Sequence, residues 1–140
     1  MDLLIMGLRE AIDYTPTNLT YAIRIDSQIA PFTNCFALQN SGLYTIVKYV
    51  FDDRTPKCGS GKLFDADIAQ RLLTDFRENG LDHDTLLVHC FMGRNRSPAV
   101  GMALNEIFEL GHDTDKLKKQ YREANWFVYD TLIEVAKRLI

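Results

Sequence analysis

Cysteine is scarce in this chain: Cys35, Cys58 and Cys90 are its three, odd in number, far apart and without a C-x-x-C pair. That pattern excludes a disulfide framework and a structural zinc site. The three histidines, His83, His89 and His112, lack ligand-like spacing. No metal and no other cofactor is therefore expected.

There is no excess of positive charge either. Sixteen Lys and Arg stand against nineteen Asp and Glu, a formal net charge of -3. Nothing in that balance draws the whole molecule to nucleic acid or to an acidic membrane, so any recognition of an anion must be local. No apolar run approaches transmembrane length, which excludes membrane insertion through a helix. The opening "MDLLIMGLREAIDY" carries an acid at its second position and lacks the parts of a secretory signal, so a cytoplasmic protein is expected. Internal repeats, linkers and low-complexity segments are missing as well.

What is present is enough for one globular domain, residues 1–140, expected to act as a monomer. Its 46% hydrophobic and 25% charged residues suit a packed core under a solvated surface. Residues 2–6, "LTYAIRID" from Leu19, "YTIVKYVF" from Tyr44 to Phe51 and "TLLVH" from Thr85 to His89 read as strands. The last is continuously apolar, as for a strand buried on both faces.

Phe64, Ile68, Leu72 and Phe76 recur four apart and predict a helix ending near Asn79-Gly80. Ser97 to Leu110 predicts another, stopped by Gly111, and Asp113 caps a third. A final amphipathic helix presents Leu132, Ile133, Ala136 and Leu139 to the core. Strands separated by helices predict an α/β fold, a central, mostly parallel sheet flanked by helices.

The stretch "LLVHCFMGRNRSPAV", residues 86–100, concentrates the chemistry. A buried strand ending at Cys90, followed within six residues by a helix start, makes a strand-to-helix turn where free amides and the helix dipole attract anions. Gly93 allows the backbone of Phe91, Met92, Gly93, Arg94, Asn95 and Arg96 to form a nest of N–H groups. Arg96 adds a planar fork that matches phosphate oxygens. The same positive surroundings favour a thiolate at Cys90. Ser97 can donate to that thiolate or cap the helix, and His89 can tie the loop to the body of the protein.

"VHCFMGRNRSPAV" resembles the H-C-x-x-G-x-x-R-S/T signature of the cysteine-dependent protein tyrosine and dual-specificity phosphatases. His89, Cys90, Gly93, Arg96 and Ser97 fill its fixed positions. "YVFDD", the helix from Phe64 and "TLLVHC" also follow in the order that this family shows. The compact size is similar to small, bacterial-type dual-specificity domains. Further on, "REANWF" keeps the Arg and Asn of another family motif, but neither of its prolines.

The resemblance implies a three-layer phosphatase fold. It also implies a substrate that is a phosphorylated protein or a small phosphomonoester, cleaved through a phosphocysteine on Cys90. A general acid is expected from the loop after the third strand, where Asp52 and Asp53 are adjacent. Side chains alternate there, so one of the two reaches the site; Asp53 is favoured because it shares parity with Tyr49 and Phe51. Phosphoinositide, nucleotide or RNA 5′ phosphates are alternative substrates, with Arg94 meeting an extra phosphate or pointing outward. A phosphate-binding module without turnover is a second alternative.

The loop "DDRTPKCGSGK" is longer than in many relatives. It imitates a nucleotide-binding loop, but Pro56 and Leu63 stand where that motif needs Gly and Ser/Thr. Cys58 on this loop is expected to be an isolated thiol, and Cys35 to lie in or near the core.

Overall fold

The computed structural model describes residues 1–139. Four strands form one sheet: β1 (Asp2–Met6), β2 (Thr20–Asp26), β3 (Tyr44–Val50) and β4 (Thr85–His89). Their order is β1-β4-β2-β3, and each neighbouring pair is parallel. Parallel neighbours need crossovers that cover the faces of the sheet, so its inner strands lose contact with water on both sides. β4 is buried at all five positions. β2 is buried throughout too, although its sequence alternates, because Thr20, Arg24 and Asp26 are enclosed along with its apolar residues.

The helices are α1 (Leu8–Asp13), α2 (Ala66–Asn79), α3 (Arg96–Phe108), α4 (Thr114–Gln120) and α5 (Trp126–Leu139), with a 3-10 turn at Pro31–Cys35. One sheet face places Tyr21, Ile23, Leu86 and Val88 in a large core with α2, α3 and α5. The other face has a thin cover, where Ala22 and Leu87 pack with Ala11 of α1 and Leu38. The layers are those of the expected α/β fold, with the weight of the core on one side.

α3 runs through that core. Its residues from Arg96 to Asn105 are all buried, as in a helix surrounded by protein. Gly101 lets it approach the sheet, since a Cβ there would lie 3.0 Å from Ile5 Cδ1. The helix ends at Glu109, whose φ of 52° closes it two residues before Gly111. Asp65 caps α2 by accepting from the Ile68 amide at 2.9 Å, so Phe64 precedes the helix and instead packs edge-on against Phe51.

Some expectations need correction. α1 and the 3-10 turn carry too few apolar residues to show a period. Cys35 is exposed, not in the core, because the turn holding it runs over the surface. In α5, Val128, Tyr129 and Val135 join Leu132 and Ala136 in the core, while Ile133 and Leu139 are only partly buried. The consequence for chemistry is the convergence of the C-terminal strand ends, where Gly7, Ser27, Phe51 and Cys90 follow their strands. Open parallel sheets place their sites at this edge.

Candidate active site

Cys90 follows directly on β4 and is only 2% exposed. Its Sγ accepts from the Gly93 amide at 3.2 Å and lies 3.2 Å from Ser97 Oγ. The loop can curl around its own sulfur because Gly93 has a φ of 75°. A side chain there is excluded twice over, since an added Cβ would also lie 2.5 Å from the Gly7 amide nitrogen. The contact is mutual: a Cβ on Gly7 would lie 2.9 Å from the Met92 carbonyl oxygen. Gly7 is thus a site-supporting residue that sequence reasoning missed, and its only sequence signal is a glycine at the end of a strand.

The back of the loop is bonded to the protein. Leu8 donates its amide to the Phe91 carbonyl at 2.9 Å, and Asn125 donates its own to the Asn95 carbonyl at 2.9 Å. The amides of Phe91, Met92, Arg94 and Asn95, in contrast, have no protein acceptor among the described residues. Unengaged N–H groups at the start of a helix can receive an anion, in a chain whose overall charge is negative.

Arg96 is buried, and its Nη1 donates to the Phe51 carbonyl at 3.0 Å. This bond ties the guanidinium to the chain leaving β3, two residues before Asp53. Its other donors remain for an anion. A narrow crevice beside Cys90 and Arg96 is lined further by Asp26, Thr33 and Asn34. Asp26 is neutralised there by Arg24, whose Nε lies 2.9 Å from its carboxylate. Neither the pair nor its burial is visible in a strand that reads as ordinary.

His89 is 1% exposed, and its Nδ1 lies 3.5 Å from the Cys90 carbonyl, so its one hydrogen bond among the described residues is local to its own loop. Its Nε2 has no protein partner. Burial pushes the imidazole down to about 4, assisted by the neighbouring Arg24 cation. His89 is neutral at pH 7 and contributes no charge to the loop.

The two adjacent aspartates have different surroundings. Asp52 is buried, and its carboxylate accepts from Ser27 Oγ at 2.5 Å and from the Lys62 amide at 2.7 Å. The Gln28 amide adds a further bond. Burial by itself would raise Asp52, but these hydrogen bonds outweigh it and hold the carboxyl below its usual range. Asp52 therefore clips the β2 exit to both ends of the 52–62 loop. Gly61 makes room for it, since a Cβ there would lie 2.2 Å from Asp52 Oδ2.

Asp53 is exposed, and its Oδ1 accepts from Asn125 Nδ2 at 2.9 Å. Asn125 is buried, donates also to the Arg54 carbonyl at 3.1 Å and caps α5 by accepting from the Val128 amide. It joins the Asp53 loop to the Cys90 loop through one residue. Cys58 is exposed on the same loop. Among the described residues, no helix is long and apolar enough to cross a membrane.

No family model and no curated protein matches the chain. Among solved structures, the one described as Tk-PTP in the active form is similar, with a TM-score of 0.57 at 15% identity. The similarity covers 97% of this chain and 90% of that one. The chain thus shares the α/β fold of that structure over nearly its whole length.

Proposed function

We propose that the protein is a cysteine-dependent phosphatase acting on phosphotyrosine in proteins. The observation that carries this reading is the placement of Cys90 Sγ. It lies 3.2 Å from both the Gly93 amide and Ser97 Oγ, at the mouth of a loop whose other amides are unengaged and beside the buried Arg96.

Cys90 acts as a thiolate and forms the S–P bond while the P–O bond to the leaving group breaks. The loop amides and Arg96 hold the three phosphoryl oxygens through the charge-rich transition state. Asp53 gives its proton to the leaving oxygen. It then takes one from the water that displaces the sulfur, and inorganic phosphate and the thiolate result. Asp52 cannot exchange these roles, because its oxygens are committed to loop hydrogen bonds that favour the ionised form.

Ser97 has one hydroxyl proton and two acceptors in reach, Cys90 Sγ at 3.2 Å and the Met6 carbonyl at 3.3 Å. When sulfur is a thiolate, the proton is best directed at it, because hydrogen bonds to a charged acceptor are the stronger ones. When sulfur is bonded to phosphorus, the carbonyl takes the proton instead. Ser97 thereby stabilises Cys90 as nucleophile and as leaving group.

Turnover of an aryl phosphate tests the reading. Wild type is expected to hydrolyse it, Cys90→Ser to fall to background and Asp53→Asn to lose about 10²-fold. Full activity in the serine variant overturns the mechanism. Tight phosphopeptide binding by wild type without hydrolysis makes the chain a binding module.

A further inference from the structure

The surroundings of the Cys90 loop differ along its length. Beside Phe91 and Met92 lies a mostly apolar groove: Leu8, Ile12 and Phe36 complete its apolar lining, and Arg9 and Glu10 are its charged residues. Phe36 is 52% exposed, Phe91 47% and Met92 56%. Three large apolar side chains gathered at one concavity differ from scattered surface hydrophobics, which need no explanation. The groove is continuous with the crevice over Cys90, because Leu8 and Phe91 line both.

Beside the next stretch of the loop, Arg94, Lys119 and Arg122 border a second depression, with Glu123 the one acid among its lining residues. All three cations are exposed, and none forms an ion pair among the described residues. In a chain of net charge -3, such a group directs negative charge to one edge of the loop. Glycine at position 93 borders the same depression, so the basic patch begins where the phosphate cradle ends.

We infer that the substrate is a phosphotyrosine peptide with an aliphatic or aromatic residue on one side of the phosphotyrosine, seated in the groove at Phe36, and an acidic residue on the other, facing Lys119 and Arg122. This rests on the phosphatase reading and narrows it to a sequence class. An extended peptide crossing the loop meets both depressions, and charge complementarity and continuity with the crevice favour that occupant. A membrane fits less well, since the apolar residues line a concavity and the net charge opposes an acidic surface.

The test is fluorescence anisotropy on wild type with four peptides that carry a non-hydrolysable phosphotyrosine mimic, with the apolar and acidic flanks each present or absent. Vesicles containing phosphoinositide serve as the competing probe. The peptide with both flanks, in one of its two orders along the chain, is expected to bind at least tenfold more tightly than the one with neither. Phe36→Ser is expected to abolish the gain from the apolar flank. Lys119→Glu with Arg122→Glu is expected to abolish the gain from the acidic flank, which 0.5 M salt also weakens. Both variants should hydrolyse a small aryl phosphate at the wild-type rate, which also shows that they fold.

Equal affinity for all four peptides, or phosphoinositide vesicles binding more tightly than every peptide, overturns the inference. With aryl phosphate turnover intact, either result leaves the phosphatase reading standing. Absence of that turnover overturns the phosphatase reading, while the four affinities still decide the binding preference.

Discussion

Asn125 donates its side-chain Nδ2 to Asp53 Oδ1 at 2.9 Å and its backbone N–H to the Asn95 carbonyl at 2.9 Å. One buried residue thus fixes the loop carrying the proposed acid relative to the loop carrying the proposed nucleophile. Both bonds are made at the N-terminus of α5, whose packing against α2 and α3 makes the position stiff.

Substitution of Asn125 should therefore act through Asp53. Asn125→Ala is expected to slow phosphotyrosine hydrolysis about tenfold. It should slow aryl phosphates with good leaving groups much less, since those depart without a proton. In an Asp53→Asn background the same change should cost little more, as for two residues in one interaction. Steady-state rates over a series of leaving groups check this; a uniform loss across the series would mean that Asn125 serves only to cap its helix.

Asp52 should be worth stability, with an effect on catalysis only through the loop it anchors. Asp52→Asn leaves hydrogen bonds from Ser27 Oγ and the Lys62 amide without their charged acceptor, a cost of about 2 kcal/mol. Its folded carboxyl is held below the usual range. The stabilisation is therefore complete above about pH 4 and is lost as pH falls through the folded value. Urea unfolding of both proteins should show a gap at pH 7 that narrows in acid.

His89 gives an opposite kind of group but the same direction with pH. Its folded value, pushed down to about 4, lies below the 6.5 of an unperturbed histidine. Between these values the unfolded chain binds a proton that the folded one refuses. Stability should be constant above about pH 6.5 and fall by roughly 3 kcal/mol as pH declines to about 4. Its imidazole C2 proton resonance should not titrate near pH 6.5, and His89→Gln should flatten the slope in that window.

Much of this site was legible in the chain. The spacing of His89, Cys90, Gly93, Arg96 and Ser97, between an apolar run and a helical period, specifies a strand-loop-helix whatever surrounds it. Strand alternation favours Asp53 over Asp52, but it does not show what either one touches. What distinguishes them is a set of partners from Ser27 to Asn125, which are distant in sequence and brought together by the sheet order. Gly7 was hidden for the same reason, since its counterpart Gly93 lies across the sheet edge. The burial of Arg24 and Asp26 is not legible in the chain, because alternation reports only a period, and their enclosure depends on the 3-10 turn that covers them.

The central claim is that Cys90 carries the phosphoryl group. Rapid acid quench of wild type and Asp53→Asn with a ³²P-labelled aryl phosphate tests it most directly. Label is expected on the protein, stable to acid, mapping to the peptide that contains Cys90 and more abundant in Asp53→Asn, where its hydrolysis is slowed. Turnover without any labelled Cys90 peptide, or label that persists in Cys90→Ala, would contradict it.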